Sequence, residues 1–236
     1  AGIIKPDGYL ISAAQDPEVA TILLDTARKQ NAKYAFEGVE FGVVERARAV
    51  GGQLLTLRGL AGEYPDIELP LHGEHQGQNA SLALAAVEAF FGGDRALARD
   101  VVLAGFAQVR SPGRLEMIRS EPLVVIDAAH NPHGVRAAST AFKEAFELSH
   151  VHAVVGILGE KDALGIFEVL REEYVDSTDA TFRLYLSASD SSRAIAPEEL
   201  QEIALDAGFD EDIITVCDHL DEALATAMEN ALFEQE

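Results

Sequence analysis

The sequence has few of the features that mark secreted or membrane proteins. Its 236 residues include a single cysteine, Cys217, and no tryptophan. One cysteine cannot form an internal disulfide, so we expect a reducing compartment such as the cytoplasm. No apolar run approaches the roughly 20 residues that a membrane span needs, and residues 1–6 do not resemble a signal peptide. We therefore expect a cytoplasmic protein that does not enter a membrane.

Basic residues are scarce as well. The sequence contains 18 Lys and Arg against 40 Asp and Glu, a formal net charge of −22, and no Lys or Arg follows Arg193. A nucleic-acid surface needs a basic stripe, so this balance argues against nucleic acid as a partner. The acidic residues are most simply a solvated surface that keeps the protein soluble. Any site for an anion must therefore be built locally from the few basic side chains.

Length and composition indicate one large globular domain or two modest ones, since 48% of the residues are hydrophobic and 25% charged. Gly92-Gly93 is the predicted hinge, so residues 1–93 would form the first domain and 94–236 the second. In the first domain, hydrophobic periodicity and turn residues predict a strand over residues 9–12 and a helix over 17–30. A three-stranded β-meander over 41–50, 53–58 and 66–71 follows, and then a second helix over 78–91.

Strands and helices alternate regularly in the second domain. The predicted strands cover residues 122–127, 152–158, 182–188 and 213–216, and the helices that follow them cover 134–148, 162–173, 197–207 and 219–233. This alternation is typical of βαβ units in a Rossmann-like domain with a mainly parallel sheet. Ligands of such sheets bind beyond the carboxyl ends of the strands. The polar residues 127–133, 159–162 and 187–193 fall at those ends.

Two polar segments precede this sheet. Residues 69–80 (LPLHGEHQGQNA) combine a strand end, a polar turn and a helix start, which can receive an anion or a nucleotide edge. Asn79 in this segment could equally be a helix cap or a packing amide. In residues 111–116 (SPGRLE), a Pro-Gly turn presents Arg114, whose planar guanidinium suits bidentate recognition of phosphate or carboxylate. The alternative is an ion pair between Arg114 and Glu116 across a hairpin.

Residues 124–134 (VVIDAAHNPHG) carry the strongest signal. An apolar strand ends in Asp127, which is suited to a pair of ribose hydroxyls, and the neighbouring His130 can meet a phosphate. The alternative is a solvent-exposed helix cap. Lys161 follows the next strand and Arg193 precedes a later helix, so both are candidate anion ligands. Lys161 has an acidic neighbour, however, and such pairs commonly form salt bridges or caps.

Several catalytic signatures are missing from the sequence. It contains no phosphate-binding loop of the form GxxxxGK[ST] and no GxSxG nucleophile elbow. The histidines have no spacing typical of metal ligands, so we predict no metal site in these residues. From the residues alone, the sequence provides half of a nucleotide site.

These segments, in this order, resemble the folylpolyglutamate synthase/dihydrofolate synthase branch of the Mur ligase family. Residues 71–80 are similar to its GxHQxxNA signature, 112–116 to its PGR segment and 127–132 to its DGAHNP signature. Lys161-Asp162 and residues 192–194 stand at the expected later places. Residues 1–6 (AGIIKP) are similar to the second half of the family's EKAGIIKP segment. The resemblance therefore implies that the phosphate loop, the magnesium ligands and much of the pterin site lie upstream of Ala1.

The resemblance implies an α/β fold, in which the end of a Mur-ligase central ATPase domain with its β-meander precedes a C-terminal Rossmann-like domain. It also implies a ligase that uses ATP and Mg²⁺ to add L-glutamate to dihydropteroate or to the γ-carboxylate of folates, through an acyl phosphate. The implied roles are adenine binding by Asn79, ribose binding by Asp127, catalytic phosphate contacts by Arg114 and His130, and glutamate contacts by Lys161 and Arg193.

Two departures and two alternatives accompany this interpretation. Ala128 stands where the family commonly has glycine, and Ser111 where it often has an aromatic residue. A cell-wall Mur ligase, which joins an amino acid to a UDP-muramoyl substrate, more often has Asn in place of Gln76. A nucleotide-binding module without chemistry is the other alternative, but adenosine binding alone needs neither Arg114 nor His130. We expect a monomer whose partners are small-molecule substrates.

Overall fold

The computed structural model of the chain describes residues 1–234, which form two compact units. The first unit is Ala1–Ser111 and the second begins at Pro112. The division therefore falls after Ser111 and not at the predicted Gly92-Gly93 hinge. The reason is that a helix beyond these glycines, Arg99–Ala107, packs on the last strand of the first unit's β-meander. The two glycines adopt positive φ angles of 108° and 78° just after the preceding helix.

The first unit contains every element that the periodicity predicts, and two further ones. Strands β1 and β2 pair in parallel, and β3, β4 and β5 form the antiparallel meander in that order. The strand β2 and the helix α3 are not predicted from the sequence. The elements are β1 Tyr9–Ser12, α1 Pro17–Lys29, β2 Lys33–Phe36, β3 Gly42–Ala49, β4 Gly52–Arg58, β5 Glu63–Leu69, α2 Glu74–Phe90 and α3 Arg99–Ala107.

Helix α2 is central to the packing of the first unit. Its Leu84 packs with Leu57 and Ile67 of the meander, while its Ala85 packs with Ala35 and Phe41 beside β2. Burial of each large aliphatic side chain stabilises the fold by roughly 1.5–3 kcal/mol relative to exposure. The helix therefore connects the meander to the small parallel sheet.

The second unit has a parallel sheet of three strands in the order β10-β9-β8. Strand β7, which was expected to belong to this sheet, instead pairs antiparallel with β6 in a hairpin, with Glu116 opposite Ile126. The tight connection between the two strands leaves them side by side. The elements are β6 Glu116–Ser120, β7 Leu123–Ile126, α4 Pro132–Ala145, β8 His150–Val155, α5 Ala163–Leu170 with a π-helical extension Arg171–Asp176, β9 Thr181–Leu186, α6 Pro197–Asp206, a 3₁₀ turn Glu211–Ile213, β10 Ile214–Val216 and α7 Leu220–Phe233.

Helices cover both faces of the parallel sheet. Leu184 and Leu186 pack with Phe167 and Leu200 of α5 and α6, and the intervening Tyr185 packs on the opposite face with Ala223 of α7. A central strand that is buried on both faces has apolar residues in succession, which explains the continuous hydrophobic pattern of β9. No helix within residues 1–234 is long and apolar enough to cross a bilayer.

The end of α7 is attached to the sheet by a polar cluster. Glu234 Oε2 lies 2.9 Å from His152 Nε2 and 3.3 Å from His150 Nδ1, and its Oε1 lies 3.4 Å from Arg183 Nε. His152 Nδ1 in turn lies 3.0 Å from the Tyr185 hydroxyl. The cluster joins the last turn of the chain's final helix to β8 and β9.

This cluster predicts a pH-dependent contribution to stability. Burial raises the pKa of Glu234, but the hydrogen bond from His152 and the nearby basic groups outweigh burial and lower it below its ordinary 4.5. A carboxyl group with a depressed pKa in the folded state stabilises the fold above pH 4.5, and this stabilisation is lost as the pH falls through the lowered pKa. Thermal unfolding of Glu234→Gln should therefore differ from wild type at pH 6–7 and converge with it in acid. A difference that stays constant with pH, or one matched by Glu229→Gln on the exposed face of α7, would contradict this origin.

Candidate active site

Asp127 joins two loops at the end of β7. Its Oδ2 accepts a hydrogen bond from the Leu115 backbone N–H at 2.9 Å, and its Oδ1 accepts one from the Ala129 N–H at 2.7 Å. The carboxylate is exposed, and each of its oxygens can accept more than one hydrogen bond. Asp127 therefore holds the turn before β6 against the loop after β7, and it retains acceptor capacity for the hydroxyls of a ligand.

The turn that carries Arg114 is held on both sides. The Gly113 carbonyl accepts from the Ala128 N–H at 2.8 Å, and the Gly113 N–H donates to Glu116 Oε2 at 2.9 Å. Gly113 has a φ of 68°, in the left-handed region that glycine adopts readily. Arg114 is exposed and makes no ion pair within residues 1–234. The alternative of an ion pair with Glu116 is therefore not observed.

His130 and Asn131 have separate roles at the start of α4. His130 Nδ1 lies 3.0 Å from the Ala128 carbonyl, which can only accept, so Nδ1 carries the proton and Nε2 remains available to a ligand. Asn131 is the helix cap, because its side-chain oxygen accepts from the Gly134 N–H at 2.8 Å. Pro132 occupies the first helical turn, where a missing N–H costs nothing. The exposed His130 is thus presented by a rigid, capped helix start.

Asp127, His130 and Lys161 line one cavity of about 350 Å³ in the second unit. Its remaining walls are mostly apolar and include Val125 of β7 and Val155 of β8. The acidic neighbour of Lys161 is the N-cap of α5, because Asp162 Oδ1 accepts from the Gly165 N–H at 3.0 Å. Lys161 itself makes no ion pair in the described part of the chain. A carboxylate, an imidazole and an ammonium group therefore converge at a concave surface with an apolar floor, the usual form of a small-molecule site.

Arg193 lies beside this group but is engaged elsewhere. Its Nη1 is 2.9 Å from Glu160 Oε1, and its backbone carbonyl accepts from the Gly159 N–H at 2.8 Å. These contacts join the loop after β8 to the loop after β9. Both side chains of the ion pair are largely exposed, and such pairs contribute about 0–1 kcal/mol. The cavity lining does not include Arg193, and its contact with glutamate stays a prediction.

Asn79 belongs to the first unit and lies inside α2, so it is not a helix cap. The helix begins at Glu74, one turn earlier than predicted, after Gly73 with a φ of 94°. Asn79 is exposed, and its Nδ2 donates to the buried Gln76 Oε1 at 3.3 Å. Because residues three apart share a helix face, these two amides form one polar patch at the start of α2. The adenine contact expected of Asn79 stays a prediction.

The sequence of the second unit matches the Mur ligase, glutamate ligase domain over residues 113–235, more than half of the chain. The chain belongs to the Mur ligase family. A dihydrofolate synthase/folylpolyglutamate synthase of Mycobacterium tuberculosis is 44% identical over 237 residues, which cover 96% of this chain and 47% of that protein. The protein of the same description from Escherichia coli is 28% identical over 204 residues, covering 86% of this chain and 43% of that protein.

Solved structures agree with the sequence relatives. The folylpolyglutamate synthase of M. tuberculosis, complexed with ADP and AMPPCP, superposes with a TM-score of 0.87 at 41% identity, covering 94% of this chain and 48% of that chain. The folylpolyglutamate synthase of Thermotoga maritima shares the fold, with a TM-score of 0.74 at 23% identity, and covers 95% of this chain and 50% of that chain. The expected α/β Mur ligase fold is confirmed, and the chain spans about half the length of the relatives it matches.

One residue of this Mur ligase chain that supports the candidate site was not predicted. Gln53 is buried in β4, and its Nε2 donates to the backbone carbonyls of Leu71 at 2.9 Å and Gly73 at 3.0 Å. It therefore fixes the loop that leads into α2. The available signal was a glutamine in line with the inward-facing Leu55 and Leu57 of β4. At Ala128, where the family commonly has glycine, the contact with Gly113 uses only backbone atoms.

His72 lies in the loop before α2 and is half-buried. Burial lowers the pKa of His72, in the loop before α2, below its ordinary 6.5, so its imidazole is neutral near pH 7. Across residues 1–234, no three His, Cys, Asp or Glu side chains come together as metal ligands would.

Proposed function

We propose that the protein carrying this chain is a dihydrofolate synthase/folylpolyglutamate synthase, which joins L-glutamate to dihydropteroate, to the γ-carboxylate of folates, or to both, at the expense of ATP. The observation that carries the proposal is the convergence of Asp127, His130 and Lys161 on one cavity, next to a braced turn that presents Arg114. It occurs in a chain that is 44% identical to the M. tuberculosis protein of that description.

In the proposed reaction a carboxylate oxygen of the folate substrate attacks the γ-phosphorus of ATP. The bond to the bridging oxygen breaks, ADP leaves and an acyl phosphate forms. The amine of L-glutamate then attacks the acyl carbon, loses a proton and expels inorganic phosphate, which gives an amide. Both steps move negative charge on phosphate oxygens, so preorganised cationic donors lower their barriers.

The residues of the chain are assigned to these steps as follows. Asp127 holds the ribose, and Asn79 contacts the adenine. Arg114 donates to the phosphates through its planar fork, and His130 contacts them through Nε2, since its Nδ1 is occupied by the Ala128 carbonyl. The ATP assignment is supported by the ADP and AMPPCP in the structure of the M. tuberculosis relative.

The remaining groups of the reaction are glutamate and magnesium. Lys161, in the cavity lining, faces the glutamate, and Arg193 joins it when its exposed ion pair with Glu160 opens. Mg²⁺, when bound, would neutralise part of the phosphate charge. We also propose that the enzyme is a monomer and that its partners are small-molecule substrates.

Phosphate release by the full-length protein that carries this chain tests the assignment. It would be measured with MgATP and L-glutamate in the presence of dihydropteroate or a reduced folate, and separately with UDP-muramoyl substrates and their amino acids. We expect turnover with dihydropteroate, the folate or both. Turnover with only the UDP-muramoyl substrate would assign the protein to the cell-wall branch. Nucleotide binding without phosphate release under any condition would favour a non-catalytic module.

Asp127→Ala is expected mainly to raise the KM for ATP. The ribose is bound equally in the ground state and the transition state, so its loss weakens binding more than it slows chemistry. Hydrogen bonds to charged groups contribute about 1.5–3 kcal/mol, which corresponds to a rise of about ten- to hundredfold. A smaller fall in kcat should accompany it, because the Leu115 N–H also loses its acceptor. Steady-state kinetics measure both values, with the exposed Asp179→Ala as the control. An unchanged KM for ATP would remove Asp127 from the nucleotide site.

A further inference from the structure

The turn formed by residues 112–115 is held in an unfavourable backbone conformation. Leu115 has a φ of 46°, in the left-handed region that residues with a side chain rarely adopt. Such a conformation persists only where surrounding contacts determine it. Its side chain is buried, and its N–H is bound by Asp127. Gly113 on the other side of Arg114 is fixed through its carbonyl by Ala128 and through its N–H by Glu116.

The position of Glu116 indicates no structural role apart from its hydrogen bond to Gly113. All five residues of β6 are exposed, so this glutamate does not contribute to a core. It stands two residues from Arg114, where an ion pair would form easily and would neutralise the guanidinium. Its Oε2 instead accepts the Gly113 N–H at 2.9 Å. The carboxylate therefore acts on the backbone of the turn and leaves the Arg114 side chain exposed.

We propose that Glu116 is a positioning residue, which fixes the turn so that Arg114 is preorganised for the charge that develops on the transferred phosphoryl group. This inference rests on the proposed function. A donor that is already in place reorganises little as charge develops, and this is the origin of its effect on the rate. Without Glu116, Gly113 retains one of its two contacts, and the arginine samples a wider range of positions before each turnover.

The kinetic test uses Glu116→Ala, Glu116→Gln, Arg114→Ala and the double variant Arg114→Ala/Glu116→Ala in the full-length protein. Glu116→Ala should lower kcat about tenfold, the typical effect of losing one charge-assisted hydrogen bond, with the KM for ATP changed by less than about twofold. Glu116→Gln should recover most of the rate, because its amide oxygen still accepts from the Gly113 N–H. The double variant should be no slower than Arg114→Ala. The control, Glu229→Ala, removes an equal charge from the exposed face of α7 and should have no effect.

A second measurement follows the turn directly, without turnover. Amide hydrogen exchange at Gly113 should accelerate in Glu116→Ala and stay near the wild-type rate in Glu116→Gln. Unchanged exchange in Glu116→Ala would overturn the proposal, as would a kcat effect that adds fully to that of Arg114→Ala. Equal damage by Ala and Gln would also overturn it, because charge and not the hydrogen bond would then matter. Absence of folate-dependent phosphate release from the wild type would instead refute the proposed function, and the exchange experiment would still decide the role of Glu116.

Discussion

Replacing Arg114 with alanine is expected to lower kcat of the full-length protein by about 10²–10³, the usual effect of removing one donor to a developing oxyanion. Arg114 lies between two braced residues, is exposed, and makes no ion pair in the described part of the chain. No carboxylate within residues 1–234 therefore compensates its charge. In the proposed reaction the negative charge on the phosphate oxygens is redistributed as the phosphoryl group moves. Loss of Arg114 should therefore lower kcat more than it alters the KM for ATP.

Arg114→Lys separates charge from shape. An ammonium group restores the positive charge but not the planar fork that binds two oxygens, so we expect only partial recovery of kcat. Arg119→Ala, in the same hairpin, is the matched control, because the Arg119 Nε donates only to the backbone carbonyl of Glu121. Steady-state kinetics decide the outcome. If Arg114→Ala leaves kcat unchanged and alters only KM, Arg114 binds the nucleotide but does not promote the chemistry.

Asp127, His130 and Lys161 line one cavity, and local sequence rules indicated their positions, while their roles stay predictions. Asp127 directly follows β7 of the hairpin, Lys161 lies in the loop after β8 of the parallel sheet, and His130 precedes a Pro-initiated helix with an Asn cap. These signals lie within a few residues of the side chains concerned. The pairing of β7 was not predictable in this way, because β6 is exposed at every position and shows no alternation of buried and exposed residues. Only Glu121 and Pro122 separate the two strands in the sequence.

In the first unit, too, some features could not be predicted from the sequence. Helix α2 begins at Glu74 behind Gly73, and α3 begins behind Ala98, so neither has a side-chain cap that would mark its start. Gln53 reaches Leu71 and Gly73 across the meander, a contact between residues far apart in the sequence. Periodicity gives the faces of helices and strands, but it does not identify which distant polar groups meet across them.

Glu88 also makes hydrogen bonds with residues far from it in the sequence. It is fully buried on α2, and its carboxylate accepts from the Tyr64 hydroxyl at 2.6 Å, the Ala61 N–H at 3.3 Å and the Leu60 N–H. The Tyr64 hydroxyl accepts from the Leu97 N–H at 2.8 Å, and burial together with the Glu88 hydrogen bond raises the pKa of Tyr64 to about 12. One carboxylate thus joins α2, the loop between β4 and β5, and the approach to α3.

Glu88→Ala is therefore expected to destabilise the protein on the order of 3–5 kcal/mol. Three donors lose their acceptor in a site closed to water, and a cavity is left where the carboxylate stood. Glu88→Gln should cost less, about 1–3 kcal/mol. Its single carbonyl can accept from the loop N–H groups, but its amide cannot accept the Tyr64 O–H, which then loses its acceptor.

Urea unfolding followed by circular dichroism measures these losses as changes in the free energy of unfolding. Glu68→Ala on the exposed side of β5 removes an equal charge and should change stability by no more than about 0.5 kcal/mol. Tyr64→Phe in combination with Glu88→Gln tests the shared hydrogen bond, because the two losses should be less than additive if both remove it. If Glu88→Ala costs no more than Glu68→Ala, the buried carboxylate does not hold the loop. In that case α2 depends on its apolar packing and on the Gln53 hydrogen bonds to the loop before it.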